Sequence, residues 1–158
     1  MGRVVSSLAD LKEIIDRKKG EGRTIVFGNG CFDLIHVGHV RYLRSARALG
    51  DLLVVAVNDD ESVTGLGKRK KVVTPAAERA EIVAALEGVD YVILFSDPTV
   101  ENLLLALRPD IHAKGTDYTA DNVPERDVVL SYGGRIAIVG DPKDHSTRDI
   151  IESIKNLE

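Results

Sequence analysis

The stretch DLLVVAVN, Asp51 to Asn58, constrains the fold more than any other in this 158-residue chain. Leu52 to Val57 is apolar without interruption. A strand with one wet face alternates apolar and polar residues, because successive side chains point to opposite sides of the sheet. An unbroken run needs cover on both sides. Parallel strands get that cover from the helices that carry the chain back between them. One such strand therefore predicts a layered α/β fold.

The other segments alternate accordingly. LADLKEIIDRKK places Leu8, Leu11, Ile14 and Ile15 on one helical face, with Ser7 as cap and Gly20 as stop. TIVFG (Thr24 to Gly28) reads as a buried strand, and HVGHVRYLRSARALG as a helix ended by Gly50. DDESVTGLGKRKKVV has no apolar period and is expected to be a loop. TPAAERAEIVAALEG predicts a helix with Thr74 as N-cap and Pro75 as its first residue. YVILF, DIHAKG and RIAIVG read as strands, and DPTVENLLLALRP as a helix. A long polar connection carries a helical turn near Glu125 to Tyr132, and Ser146 caps a closing helix. The pattern predicts one domain over residues 1–158, with an N-terminal helix at about 7–19 and a core at about 24–157. Its class is a three-layer α/β sandwich around a mainly parallel sheet. Ligands bind such sheets beyond the carboxyl ends of the strands. That rule selects the loops after Phe27, Val57, Ala113 and Val139.

Composition narrows the function. A net charge of −4 gives no support to nucleic acid or an anionic membrane as partner. A single cysteine excludes an internal disulfide and fits a reducing compartment. No secretory signal opens the chain, and Gly2 followed by Arg3 and a helical pattern does not make a lipidation site. No apolar run approaches the ~20 residues that span a bilayer. A cytoplasmic globular protein is expected.

GNGCFDLIHVGHVRYL, Gly28 to Leu43, carries the chemistry. Gly28 and Gly30 begin a dinucleotide fingerprint, but Asp33 stands where its third glycine belongs. His36 and His39 share a helical face, yet Cys31 and Asp33 do not complete a usual zinc spacing, so no protein-ligated metal is expected. Cys31 lacks a convincing base and orienting partner for a nucleophile. Phosphate fits better. A strand ends in a glycine-rich turn, and a helix begins with its backbone N–H groups and positive dipole end at the same spot. Gly38 between the histidines clears room for an anion. Downstream, the basic residues of GKRKK (Lys68 to Lys71) are either a solvated run or a source of one phosphate-binding cation. Arg79 either makes a helix ion pair or reaches a phosphate. Lys114, Gly115 and Asp117 follow a strand, and Ser146 and Thr147 open the last helix, where an anion can also sit.

GCFDLIHVGH resembles the G-x-F-D-x-x-H-x-G-H signature of the nucleotidyltransferase superfamily that includes cytidylyltransferases. GDLLVVAVNDDESV, TPAAERAEIVAALEGVDYVILF, LRPDIHAKGTDYT and YGGRIAIV are similar, in order and spacing, to the adenylyltransferase domain of bacterial heptose enzymes, of which the stand-alone form is expected here. The chain departs from that pattern at KDHSTRD, where Asp144 and His145 replace a glycine–aromatic pair and Arg148 replaces a third hydroxyl residue. It departs again in the longer basic loop GLGKRKKVVTP.

The resemblance implies a Rossmann-like fold of nucleotidylyltransferase type. It also implies transfer of AMP from ATP to D-glycero-D-manno-heptose 1-phosphate, giving ADP-heptose and pyrophosphate. It assigns His36, His39, Lys68 and Arg79 to catalysis. Nucleotide would lie against Gly30, Cys31, Phe32, Asp33, Gly38, His39, Lys114, Gly115, Asp117, Ser146 and Thr147. The sugar phosphate would lie against Asn29, Asp33, Asn58 and Lys70. Mg2+ would arrive with the nucleotide, and the resemblance suggests a homodimer. Cytidylyl transfer to glycerol 3-phosphate or another polyol phosphate, a related adenylyl transfer, and a non-catalytic nucleotide sensor remain open on these residues.

Overall fold

A computed structural model of the chain describes residues 1–65, 67, 70–142 and 145–157. The elements run β1 Arg3–Val4, α1 Leu8–Gly20, β2 Ile25–Gly30, α2 Val37–Arg47, β3 Leu52–Asn58, α3 Asp60–Gly65 and α4 Ala76–Ala85. They continue as β4 Tyr91–Phe95, α5 Glu101–Leu107, β5 Ile111–Lys114, α6 Arg126–Ser131, β6 Arg135–Ile138 and α7 Thr147–Lys155. One parallel sheet holds the strands in the order β1-β4-β3-β2-β5-β6.

The unbroken run of β3 behaves as its composition demands: all seven residues are buried. Leu52, Val54 and Ala56 pack toward Leu11, Ile15 and Leu104, from α1 and α5. Leu53, Val55 and Val57 pack on the other side toward Leu43, Ala46, Ala80 and Val83, from α2 and α4. The chain steps outward from β2 through β3 to β4, then crosses back to lay β5 on the other side of β2. The strand order thus reverses between β2 and β5, where the helices leave a crevice at the carboxyl ends.

Three local expectations change. Asp60–Gly65 is a short helix, not loop; Asp59 Oδ1 accepts the Ser62 N–H at 2.8 Å and starts it. Pro75, not Thr74, takes the cap position of α4. Arg3–Val4 forms an edge strand that two residues cannot announce by periodicity; Arg3 and Val5 donate their N–H groups to Asp90 and Val92.

Candidate active site

The turn after β2 runs through a backbone that side chains ordinarily avoid. Phe32 and Leu34 have φ of 53° and 57°, in the left-handed region. Such residues cost of order 1–3 kcal/mol each and persist only where the surroundings over-determine them. Here they do. Asp33, 1% exposed, accepts the N–H groups of Val73 and Thr74 at 2.9 Å on its two carboxylate oxygens. Thr147 Oγ1 donates to the carbonyls of Asp33 at 2.6 Å and Leu34 at 3.3 Å. Arg79 donates to the carbonyl of Cys31.

The two histidines sit on the first turn of α2 with stacked rings, their centroids 3.9 Å apart. His36 Nδ1 accepts the Gly38 N–H at 3.1 Å, and His39 Nδ1 accepts the His36 N–H at 3.2 Å. Because each Nδ1 is an acceptor, the proton of each neutral ring lies on Nε2. Gly38 is required at close quarters. A Cβ there would lie 2.8 Å from His36 Cε1 and 2.9 Å from its Nδ1.

A cavity of about 610 Å³ opens in front of these rings. The structure brings together around it Asn29, Gly30, Cys31, Phe32, Asp33, His36, Gly38, His39, Asn58, Lys114, Gly115, Asp117, Ser146 and Thr147. Cys31 Sγ lies 3.8 Å from Asn58 Oδ1, and Asn58 Nδ2 donates to Ser62 Oγ at 3.2 Å. Lys114 stands 4.5 Å over the Tyr118 ring and 3.9 Å from Glu125 Oε2. Ser146 caps α7 by accepting the Asp149 N–H at 3.0 Å.

Arg79 does not reach this cavity, which corrects the sequence reading. Its side chain is fully buried, and its guanidinium donates to the carbonyls of Thr74, Cys31 and Asn58 and to Asp60 Oδ1. Five donors in a planar fork suit that cluster of fixed acceptors. Asp33 lines the cavity but spends its carboxylate on the 73–74 backbone, so its observed part is to hold the turn. Lys70 is exposed and does not line the cavity. Lys68 lies outside the described residues.

The sequence reading missed several wall residues. Tyr42 lies one turn beyond His39 on α2, a spacing that foreshadows it. Its hydroxyl donates to the Ala113 carbonyl at 2.7 Å, and burial pushes its pKa well up, so it stays a neutral donor. Phe95, Pro98 and Thr99 come from the end of β4, a fifth strand end to which the same rule applies. His145 lines the cavity with its ring 6.3 Å from that of His36. Glu125 and Tyr118 come from the connection after β5. His112 stands behind the wall and carries no sequence signal.

Among the described residues, no three His, Cys, Asp or Glu gather closely enough to hold a metal ion. None of the described helices is long and apolar enough to cross a membrane.

Comparison with known proteins bears on this site. Residues 27–153 match the cytidylyltransferase-like family. The chain is 49% identical over 150 residues to the bifunctional protein HldE of Geobacter sulfurreducens, covering 95% of this chain and 31% of that one. It is 49% identical over 144 residues to the HldE of Pelobacter propionicus, covering 91% and 30%. The chain thus spans about a third of the length of these curated relatives. A lipopolysaccharide core biosynthesis protein from Thermoplasma volcanium superposes with a TM-score of 0.68 at 27% identity, over 77% of this chain and 100% of that one. A pantothenate synthetase from Thermus thermophilus shares the fold, with a TM-score of 0.64 at 18% identity over 94% of this chain and 67% of that one.

Proposed function

We propose that this chain, which belongs to the cytidylyltransferase-like family, transfers the adenylyl group of ATP to a heptose 1-phosphate, giving ADP-heptose and pyrophosphate. The observation that carries the reading is the pair of stacked imidazoles, tautomerically fixed at a helix start, on the wall of a cavity at the strand-order reversal. The downstream segments that resemble heptose adenylyltransferases favour that sugar. So do the 49% identity to proteins named HldE and the likeness to a lipopolysaccharide core biosynthesis protein.

In this reaction a sugar phosphate oxygen attacks the α-phosphorus of ATP. The bond to the β-phosphate oxygen breaks, and pyrophosphate leaves with that electron pair. The nucleophile is already an anion, so the protein supplies alignment and charge stabilisation rather than a base. His36 and His39 donate from Nε2 to phosphate oxygens as charge builds on the leaving group. The backbone around Cys31 and Phe32 lines the triphosphate. Lys114, Gly115 and Asp117 border the ribose and base, and Ser146 and Thr147 offer hydroxyls and N–H groups at the start of α7. The nucleotide is its magnesium complex, in which the hard cation takes phosphate and water oxygens. No residue of the chain is assigned to the ion. A homodimer in the cytoplasm belongs to the same proposal, and light scattering reads the oligomeric state.

The test pairs ATP, CTP, GTP, UTP and dTTP with several sugar and polyol phosphates and reads pyrophosphate. ATP with a heptose 1-phosphate is expected to turn over fastest. His39→Ala is expected to cut that turnover about a hundredfold or more, the loss typical of one transition-state donor. Turnover near wild type in that variant sinks the mechanism.

A further inference from the structure

His112 is a buried histidine that the proposed reaction does not use. It sits on β5 opposite Phe27 of β2, with its ring edge against that phenyl, centroids 5.4 Å apart. Asn29 follows two residues after Phe27, so its side chain emerges on the same face of the sheet, at the cavity wall. His112 Nε2 lies 3.0 Å from Asn29 Oδ1. His112 Nδ1 is buried without a hydrogen-bond partner.

We propose that His112 is a positioning residue: its Nε2–H holds the oxygen of the Asn29 amide and so turns the Asn29 NH2 group toward the ligand. A neutral imidazole has one N–H to place. On Nε2 it pairs with the Asn29 oxygen. On Nδ1 it would be a buried donor without an acceptor, and Nε2 would then demand the Asn29 amide nitrogen instead. That second arrangement turns Oδ1, a partial negative charge, toward bound phosphates. Burial beside Lys114 holds the ring neutral, with its pKa lowered from 6.5 to about 3. The Asn29 amide is therefore pinned in the orientation that presents donors to an acceptor oxygen of a phosphate. A strand residue with no exposed atom to offer a ligand would in this way set the polarity of one wall.

The inference rests on the reading of the cavity as a nucleotide and sugar phosphate site. Two measurements separate its failure from the failure of that reading. The first needs no substrate: long-range 15N–1H spectra of the wild-type protein report the tautomer of His112. The proposal requires Nε2–H at pH 7, and a Nδ1–H signal overturns it. The second is a double-mutant cycle of His112→Leu and Asn29→Ala, read as ATP affinity by calorimetry and as KM for each substrate. His112→Leu is expected to weaken one ligand about tenfold, the size of one lost charge-assisted hydrogen bond. The two KM values tell whether the oxygen belongs to the nucleotide or to the sugar phosphate. His112→Gln, which keeps a donor near the same place, is expected to recover most of that affinity. In the Asn29→Ala background, His112→Leu is expected to change nothing further. An equal loss in both backgrounds means that His112 acts by packing, and the proposal falls.

Discussion

Replacing Arg79 by methionine decides between two physical descriptions of that residue. The sequence suggests a cation that reaches phosphate, whereas the structure shows a buried clamp. Arg79 Nε donates to the Thr74 carbonyl at 2.8 Å, and Nη1 to the Asn58 carbonyl at 2.7 Å and to that of Cys31. Nη2 meets Asp60 Oδ1 at 2.7 Å. Methionine fills the tunnel of the alkyl stem but leaves three carbonyls without their donor. Each orphaned buried acceptor costs about 1–3 kcal/mol. Relief from burying a guanidinium offsets part of that sum, while Asp60, half exposed, is rehydrated. A net loss of about 3–5 kcal/mol is expected, comparable to breaking a buried ion pair. For a chain of this size that lowers Tm by about 6–20 °C. Urea and thermal unfolding measure it, with ATP affinity recorded at a temperature where the variant is folded. Arg79→Lys is expected to recover little, because one ammonium cannot serve four separated acceptors. A methionine variant that melts within 2 °C of wild type and has lost ATP affinity tenfold refutes the clamp and restores the phosphate ligand.

Gly38→Ala puts a methyl group on the His36 ring, so turnover is expected to fall at least about tenfold. Stability should hold, since alanine favours a helix over glycine by about 1 kcal/mol. Steady-state kinetics with a parallel melt separate the two effects. Thr147→Val removes the hydroxyl that joins α7 to the left-handed turn after β2, at about 1 kcal/mol. Faster amide exchange in Thr147–Lys155 and a raised KM for ATP are the expected readouts. His112 makes stability depend on acid. Above pH 6.5 it is neutral in both the folded and unfolded chain and costs nothing. As pH falls from 6.5 toward 3 the unfolded chain takes up a proton that the native ring refuses, and stability is lost. The slope reaches about 1.4 kcal/mol per pH unit from this one group, and urea midpoints for wild type and His112→Leu at pH 7 and pH 5 isolate it.

The alternation of strand and helix was legible because most elements here are long enough to show their period. β3 announces its double cover by six consecutive apolar residues, Leu52 to Val57, whereas the order of the strands in the sheet is written in no such local pattern. Two short elements escaped. Arg3–Val4 has no alternation to read, and Asp60–Gly65 is specified by the Asp59 cap rather than by an apolar face. At the site, the glycines and histidines form one short motif, and the structure places Gly30, His36, Gly38 and His39 on one cavity wall. Arg79 was misread for a physical reason. A charged side chain beside a phosphate site invites assignment to the phosphate, and nothing local tells that tertiary contacts have already consumed its hydrogen bonds. Three of the Arg79 partners lie 19 to 48 residues away in the chain.

The same long separations govern when the site comes into being. The left-handed turn at Phe32 and Leu34 is held by segments 40 and 41 residues downstream through Asp33, 48 through Arg79, and 113 and 114 through Thr147. Each of these ties closes a chain loop of 40 residues or more. The signature stretch therefore depends for its seat on segments as far along the chain as α7. A chain in which α7 is undocked is expected to lose the Thr147 tie, and with it part of the support of the left-handed turn. Under the proposed function, a nucleotide that binds at the turn is expected to stabilise α7 as well, because a ligand favours the state in which both are docked.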